Sequence, residues 1–501
     1  MTSSFDIEPR PSKRPLLWND LVYDLQALLE DDATPVVIVG GAVRDAYLHR
    51  PLYDLDLATP ENAVQLARKI ANGMDGDVFV LDAERDVARV ILTRPAAQET
   101  EGESKFLIDV AAYRGESLDR DLHDRDFTIN AMAVDLNGDL NALLDPLNGE
   151  QDITQKRIRQ CHSKSLTDDP IRMLRAVRQA VQFSFSIEPD TLANIRTHAA
   201  QLTQTSMERV RDEFFKLLRV PKTTQALRIA ARLGLLQTFM PEIDSLIAFK
   251  PEDLPFATRW DYTLAVIERL SILSNAISFQ RSDNTAASFE VGMAVMQFDR
   301  YRQPLNRHLS RSWAEERTTI ALLYLAVLLR SINAVATDGK KKSSGKKTAE
   351  AYADLLRLSN PEKQLLVTCV EQVSTTLLER RPSRLAAHRY WYQFGESGID
   401  LLLILLAEIS GAQAHFLEQD EWLKIIDSAT SLFDAWFTYH DEIVSPPLLL
   451  DGNALKQALN LTPGPMIGQL LKLIREGQVT GAITTVDEAL EQARTYLEQN
   501  N

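Results

Sequence analysis

A mixed α/β head followed by an almost wholly helical remainder is the fold class this 501-residue chain predicts. Three observations carry that reading. Short apolar runs alternate with helical stretches as far as residue 148, as strands and helices of one sheet-based domain do. Asp145-Pro146-Leu147-Asn148-Gly149 then gathers turn formers into one boundary. Beyond it, apolar residues recur at helical spacing with no further strand-like alternation.

Taken in order, residues 1–15 carry charges and prolines without an apolar run, and are expected to be disordered. Residues 16–148 form the head. Strands are expected at Val36–Val39, Tyr53–Leu57, Asp77–Leu81, Ala88–Leu92, Phe106–Val110 and Ala131–Asp135, with helices at Ala42–His49 and Glu61–Asn72. Residues 149–222 form a helical neck. There Asp169-Pro170 offers an N-cap and a first-turn proline ahead of Ile171, Leu174 and Val177, and Glu208–Leu218 is a second helix. Residues 223–445 form a helical body broken by Pro241, Pro251 and Pro255. The lysine-rich run Asp338–Lys347 inside it reads as a disordered, solvated loop. Pro446-Pro447 opens a small helical C-terminal unit, 446–501.

Composition removes several function classes. Two cysteines make neither a disulfide framework nor a zinc pattern, which suits a reducing cytoplasm. The N-terminus lacks an apolar signal core, and runs such as Ala321–Leu329 are far shorter than the ~20 residues a membrane span needs. Net charge is −15, yet Lys156–Arg178 holds seven basic residues against two acidic ones. An acidic molecule with one basic stripe is expected to hold RNA there, with strong salt dependence.

Chemistry concentrates in Gly40-Gly41-Ala42-Val43-Arg44-Asp45 and in Asp54-Leu55-Asp56. Paired glycines after an apolar strand let the backbone turn tightly and approach a ligand. On a strand, Asp54 and Asp56 point to one face, a spacing suited to two Mg²⁺ ions in phosphoryl or nucleotidyl transfer. The bland account is an edge strand after an ordinary turn. Two later blocks speak against it: Arg125-Asp126-Phe127-Thr128-Ile129-Asn130-Ala131 and Asp168-Asp169-Pro170-Ile171-Arg172-Met173-Leu174-Arg175-Ala176-Val177-Arg178. In this order the three blocks resemble the class II CCA-adding tRNA nucleotidyltransferase and bacterial poly(A) polymerase family, strongly from Val36 to Leu218.

The resemblance implies a polymerase-beta-like head, and places a nucleoside triphosphate, ATP or CTP, over Gly40 and Gly41 with its phosphates near Arg44 and Arg125. Asp126 and Asn130 fall to sugar or phosphates, Asp54 and Asp56 to two Mg²⁺ ions. Asp45 is implied to support the turn or the neighbouring arginine. Asp109, on an expected strand, is a candidate third carboxylate able to accept the hydroxyl proton; an outward strand residue is the equal alternative. Many relatives carry two arginines at the second block, and here Asp124 stands in one of those places.

On the neck, the match gives Asp169 and Arg172 to the Watson–Crick edge of the incoming base, replacing a template. Asp169 also reads as an N-cap. Arg175 and Arg178 are assigned to RNA phosphates, or alternatively to ion pairs with Glu208 or Glu213, and Glu208-Arg209 with Glu213 to scaffolding. The body resembles an HD-type phosphohydrolase domain in which Tyr262 and Arg330-Ser331 occupy the histidine and His-Asp positions, implying lost hydrolysis. The leading expectation is template-independent addition of C and A to the tRNA 3′ end. CC-only, A-only and poly(A) addition stay open within that chemistry, and a catalytically silent RNA-binding protein outside it.

Overall fold

The computed structural model describes residues 5–30, 32, 34–95, 103–252, 254–278, 289–314, 317–337, 344–371, 381–412 and 418–500. They divide into two compact units, Met1–Phe239 and Met240–Asn501.

The first unit is built on a six-stranded mixed sheet of β2 (Val37–Val39), β3 (Asp54–Thr59), β4 (Asp77–Asp82), β5 (Val87–Pro95), β6 (Glu103–Ala112) and β7 (Ala133–Asp135), after short strand β1 (Arg10–Pro11). The order is β4-β5-β6-β3-β2-β7, with only β3 and β6 parallel. Alternation decides the faces. Leu55, Leu57, Ala88, Val90, Ile108 and Val110 are buried on the side covered by α3 (Ala63–Met74), which packs on β5 and β6 and against α1 (Asp20–Leu29). The opposite face carries Asp54, Asp56, Arg89 and Asp109. Each expected strand overlaps an observed one, because apolar runs bounded by turn residues were long enough to fix a period of two.

The N-terminus corrects an expectation. From Phe5 onward it lies on the head: β1 pairs antiparallel with β8 (Ala142–Leu143). Ile7 is buried, and Arg10 meets the buried Asp145 at 2.5 Å. Charges there complete buried carboxylates rather than solvate a tail. Residues 1–4 lie outside the described residues.

Between sheet and neck come α2 (Gly41–Tyr47), α4 (Leu118–His123), a 3₁₀ turn at Thr128–Asn130, α5 (Gly149–Thr154) and β9 (Arg157–Ile158). After them come α6 (Ser165–Asp168), α7 (Ile171–Phe183), β10 (Ser186–Ile187), α8 (Pro189–His198) and α9 (Met207–Leu218), all within the expected neck, and then α10 (Thr223–Arg232). Helix α7 presents Met173, Leu174, Val177 and Val181 to the core, against α9 and α10.

Among the described residues the second unit is helical apart from two short antiparallel strands, Ser312–Ala314 and Arg317–Thr318. Its central helices are α11 (Ile243–Ala248), α12 (Arg259–Ile277), α13 (Phe289–Phe298), α14 (Arg302–Ser310), α15 (Thr319–Thr337), α16 (Gly345–Leu355), α17 (Asn360–Glu371), α18 (Arg384–Phe394), α19 (Ser397–Ala412) and α20 (Gln419–Phe437). The expected loop Asp338–Lys347 is corrected at its end, since Gly345–Lys347 open α16 and Gly345 is buried against Val370; 338–343 lie outside the described residues. Helices α21 (Gly452–Leu459), α22 (Pro465–Thr480) and α23 (Val486–Asn500) close a core of Leu455, Leu470, Ile474, Ile483, Ala489 and Ala493. No helix among the described residues is long and apolar enough to cross a membrane.

Candidate active site

Gly40 follows β2 with φ +74° and donates its N–H to Met132 O. Its backbone conformation disfavours any side chain. A Cβ placed there would stand 2.8 Å from Arg125 Nη1 and 3.3 Å from Asp56 Oδ2. The glycine, the arginine and the carboxylate therefore line one floor, and only hydrogen fits between them. Asp54 is exposed at the rim of β3, and Asp56 sits deeper. Burial pushes the Asp56 carboxyl up; Arg125 opposes this, and the neighbouring Asp109 and Asp54 add to it. Such a carboxylate draws a cation.

Arg125 is aimed by Asp121, which is buried and accepts from Nε at 3.1 Å and Nη2 at 2.8 Å. The sequence carried a signal for this partner, an aspartate four residues earlier across one helical turn. Nη1, the atom over Gly40, is the one left toward the floor. Register places Asp109 directly beside Asp56 across the β3–β6 pair. It is also bidentate with Arg89 of β5, Nε–Oδ1 2.7 Å and Nη2–Oδ2 2.9 Å. Asp109, the candidate third carboxylate, thus lies beside Asp56 and is held by an arginine that reading one strand at a time did not reveal.

Several residues expected on the nucleotide are instead knitted together beneath it. Arg44 is buried; it bonds Asp45 through Nε and Nη2, gives Nη1 to Asn130 Oδ1 at 2.5 Å, and stacks on Phe183. Asp45 thereby supports the neighbouring arginine. Asn130 also donates to Asp126 and to Gln179 of α7. Asp126 is buried, which alone would raise its carboxyl; Arg175, Asn130 and the Phe127 amide together hold it below the usual range. Arg44, Asp126 and Asn130, expected on the phosphates or sugar, thus bond one another and support the floor.

Four arginines of the basic stripe are ion-paired as well. Arg157 and Arg159 both bond the buried Asp152. Arg175 meets Asp126 at 3.0 Å, and Arg178 meets Glu213 at 2.5 Å. Both make contacts of the kind the ion-pair alternative expected. Lys156 and Lys164 are exposed.

A cleft of about 1050 Å³ lies over Glu84–Val87, Ala111–Arg114, Asp169 and Arg209. Val87 pairs with Ala111 two residues along the strands from Arg89 and Asp109. The cleft therefore adjoins the carboxylates on the same sheet face, about 7 Å further on. Asp169 makes no side-chain cap for α7, whose N-cap is Pro170. Its carboxylate turns to Arg209 Nη2, 2.8 Å away.

A family model described as the poly A polymerase head domain matches residues 36–159, and one described as a probable RNA and SrmB-binding site of polymerase A matches 184–247. A CCA-adding enzyme of Streptococcus mutans is 31% identical over 313 residues, 60% of this chain and 75% of its own. The chain belongs to the CCA-adding tRNA nucleotidyltransferase and poly(A) polymerase family. A CC-adding tRNA nucleotidyltransferase of Synechocystis sp. is 28% identical over 94% of this chain and 95% of its own length. Among solved structures, a CCA-adding enzyme in complex with ATP has a TM-score of 0.61 at 21% identity, covering 96% of this chain and 94% of that one. This shows a shared fold.

In the second unit, Tyr262 and Arg330 converge. Arg330 holds Glu408 through two 2.7 Å bonds and donates to the Cys369 carbonyl, while Arg259 lies over the Tyr262 ring. Among the described residues, no group of three or more His, Cys, Asp or Glu gathers as a metal site.

Proposed function

We propose that this chain extends the 3′ end of tRNA, without a nucleic-acid template, using CTP and ATP. The RNA 3′-hydroxyl oxygen bonds to the α-phosphorus, the α–β phosphoanhydride breaks, and pyrophosphate leaves. The observation that carries the proposal is the floor itself: Asp54 and Asp56 alternate on β3, with Asp56 and Arg125 pressed against a glycine whose positive φ strains any side chain placed there.

The donor set fits Mg²⁺. Two carboxylates with no further protein ligand suit an ion that completes its shell with water and substrate phosphates, and the cation-drawing Asp56 supports this. When bound there, divalent ions activate the hydroxyl and neutralise the leaving pyrophosphate. The chain's own residues do the remainder. Arg125 presents Nη1 to the triphosphate, Asp121 fixes its plane, and Asp109, beside Asp56 and paired with Arg89, is the candidate acceptor of the hydroxyl proton. Asp169 offers an acceptor to the base. The setting we propose is the cytoplasm.

CC-only addition is the second reading, favoured by a CC-adding relative matched along nearly the whole chain. The test is incubation with tRNA ending at the discriminator base, supplied with CTP, ATP or both. Growth by three nucleotides supports C and A addition. Arrest after two with both nucleotides present assigns CC addition. Long A tails on unrelated RNA, or no extension, contradict the proposal.

A further inference from the structure

The second unit holds a cavity of its own, about 360 Å³ in volume, where the chain entering α12 passes the last turns of α15. Three charged side chains line it: Lys250, Glu252 and Arg259. Phe249, Leu254 and Val335 give it an apolar wall. Half-buried Arg259 opens α12 and lacks a counter-ion. Its guanidinium lies 4.4 Å over the Tyr262 ring, which steadies one flat face and leaves the N–H edges unused. Glu408, the carboxylate whose charge reaches it, is already gripped by Arg330 through two 2.7 Å bonds. Nε of Arg259 is buried without a partner, and among the described residues no hydrogen bond engages the guanidinium. Burial disfavours its charged form, and Arg330 adds to that. Such a group is costly to bury unless an anion supplies the missing acceptors. Lys250 is exposed and makes no ion pair among the described residues.

We propose that this cavity binds a small phosphate monoester, its phosphate on Arg259 and Lys250 and its organic part against the apolar wall. A guanidinium edge meets phosphate oxygens as a fork, and the ammonium adds a mobile charge. Two cations against one carboxylate leave the lining net positive, which suits the nearly dianionic phosphate of a monoester at pH 7. Glu252 accepts from a hydroxyl on the organic part and disfavours a second phosphate. The volume stands at the low end of the ~300–1000 Å³ of small-molecule sites, so the ligand is compact. An RNA backbone phosphate suits the cavity less, because a diester carries a single charge and brings a sugar on each side.

The experiment titrates the full chain with phenyl phosphate, inorganic phosphate and phenol by calorimetry, and follows melting and tRNA binding of each variant. Wild type is expected to bind phenyl phosphate more tightly than inorganic phosphate, to ignore phenol, and to melt later with phenyl phosphate present. Arg259→Ala should weaken phenyl phosphate by about tenfold or more and lose the melting shift, while Lys250→Ala weakens it less. Both should bind tRNA as wild type does. The inference is overturned if wild type shows no heat with millimolar phenyl phosphate, if inorganic phosphate binds as tightly, or if Arg259→Ala keeps the wild-type affinity. Loss of tRNA affinity in both variants, without phenyl phosphate binding to wild type, overturns it in favour of an RNA contact. Should Arg259→Ala not fold, Lys250→Glu decides, since that side chain is exposed. Loss of phenyl phosphate binding there supports the inference, and its retention overturns it.

Discussion

Gly40 shows how one hydrogen atom organises the floor. A methyl group in its place meets Arg125 Nη1 and Asp56 Oδ2 and must also adopt φ +74°. Gly40→Ala is expected to cost about 1–3 kcal/mol of stability and to raise the KM for CTP and ATP by displacing Arg125. Urea unfolding and initial-rate kinetics measure the two effects separately. Asp121→Asn tests the support of that arginine from beneath. It should leave extension slower with only a modest change in melting, since the buried amide still accepts one hydrogen bond but no longer neutralises Arg125.

At the scale of elements, the join between head and neck is an ion-pair array. Arg175 bridges Asp126 and Glu213, and Arg178 pairs with Glu213, which is buried on α9. Removing one member strands a buried charge. Glu213→Ala should therefore cost about 3–5 kcal/mol in urea unfolding of the first unit. Here the sequence was legible in part. The strand carrying Asp54 and Asp56 could be placed because Leu55 and Leu57 alternate with them. The partners of Arg175 and Arg178 could be named only as alternatives, since a helix sequence shows which residues are basic and not which face is buried. Arg89 escaped notice for a related reason. Its place against Asp109 depends on the β5–β6 register, a pairing between strands that no local pattern fixes. The N-terminal strand β1 was invisible because two residues have no period.

For the whole molecule the net charge is −15, and with Arg157, Arg159, Arg175 and Arg178 in ion pairs the exposed cations of the stripe are Lys156 and Lys164. Binding of tRNA should thus weaken with added salt along a shallow log–log slope, reflecting few released counterions. The second unit carries a separate pH signature. His308 is buried on α14 between Asp400 at 2.7 Å and Glu396 at 3.3 Å. Burial opposes its charged form, but the two carboxylates outweigh it and raise the imidazole from 6.5 to about 9. A raised folded-state pKa means the protonated ring stabilises the fold. That contribution is full below pH 6.5 and fades as pH climbs through about 9. Melting of wild type should fall across this window, and His308→Gln should flatten the decline. The division into sheet-based and helical parts was legible from periodicity alone. Which helices pack together in the second unit was not, because its long apolar segments bury several sides at once.

The most direct measurement pairs extension with binding in one variant. Asp54→Ala, given a tRNA lacking its CCA end, CTP, ATP and Mg²⁺, is expected to lose at least about a thousandfold in extension rate while binding the tRNA as wild type does. Extension within a few-fold of wild type would contradict the account.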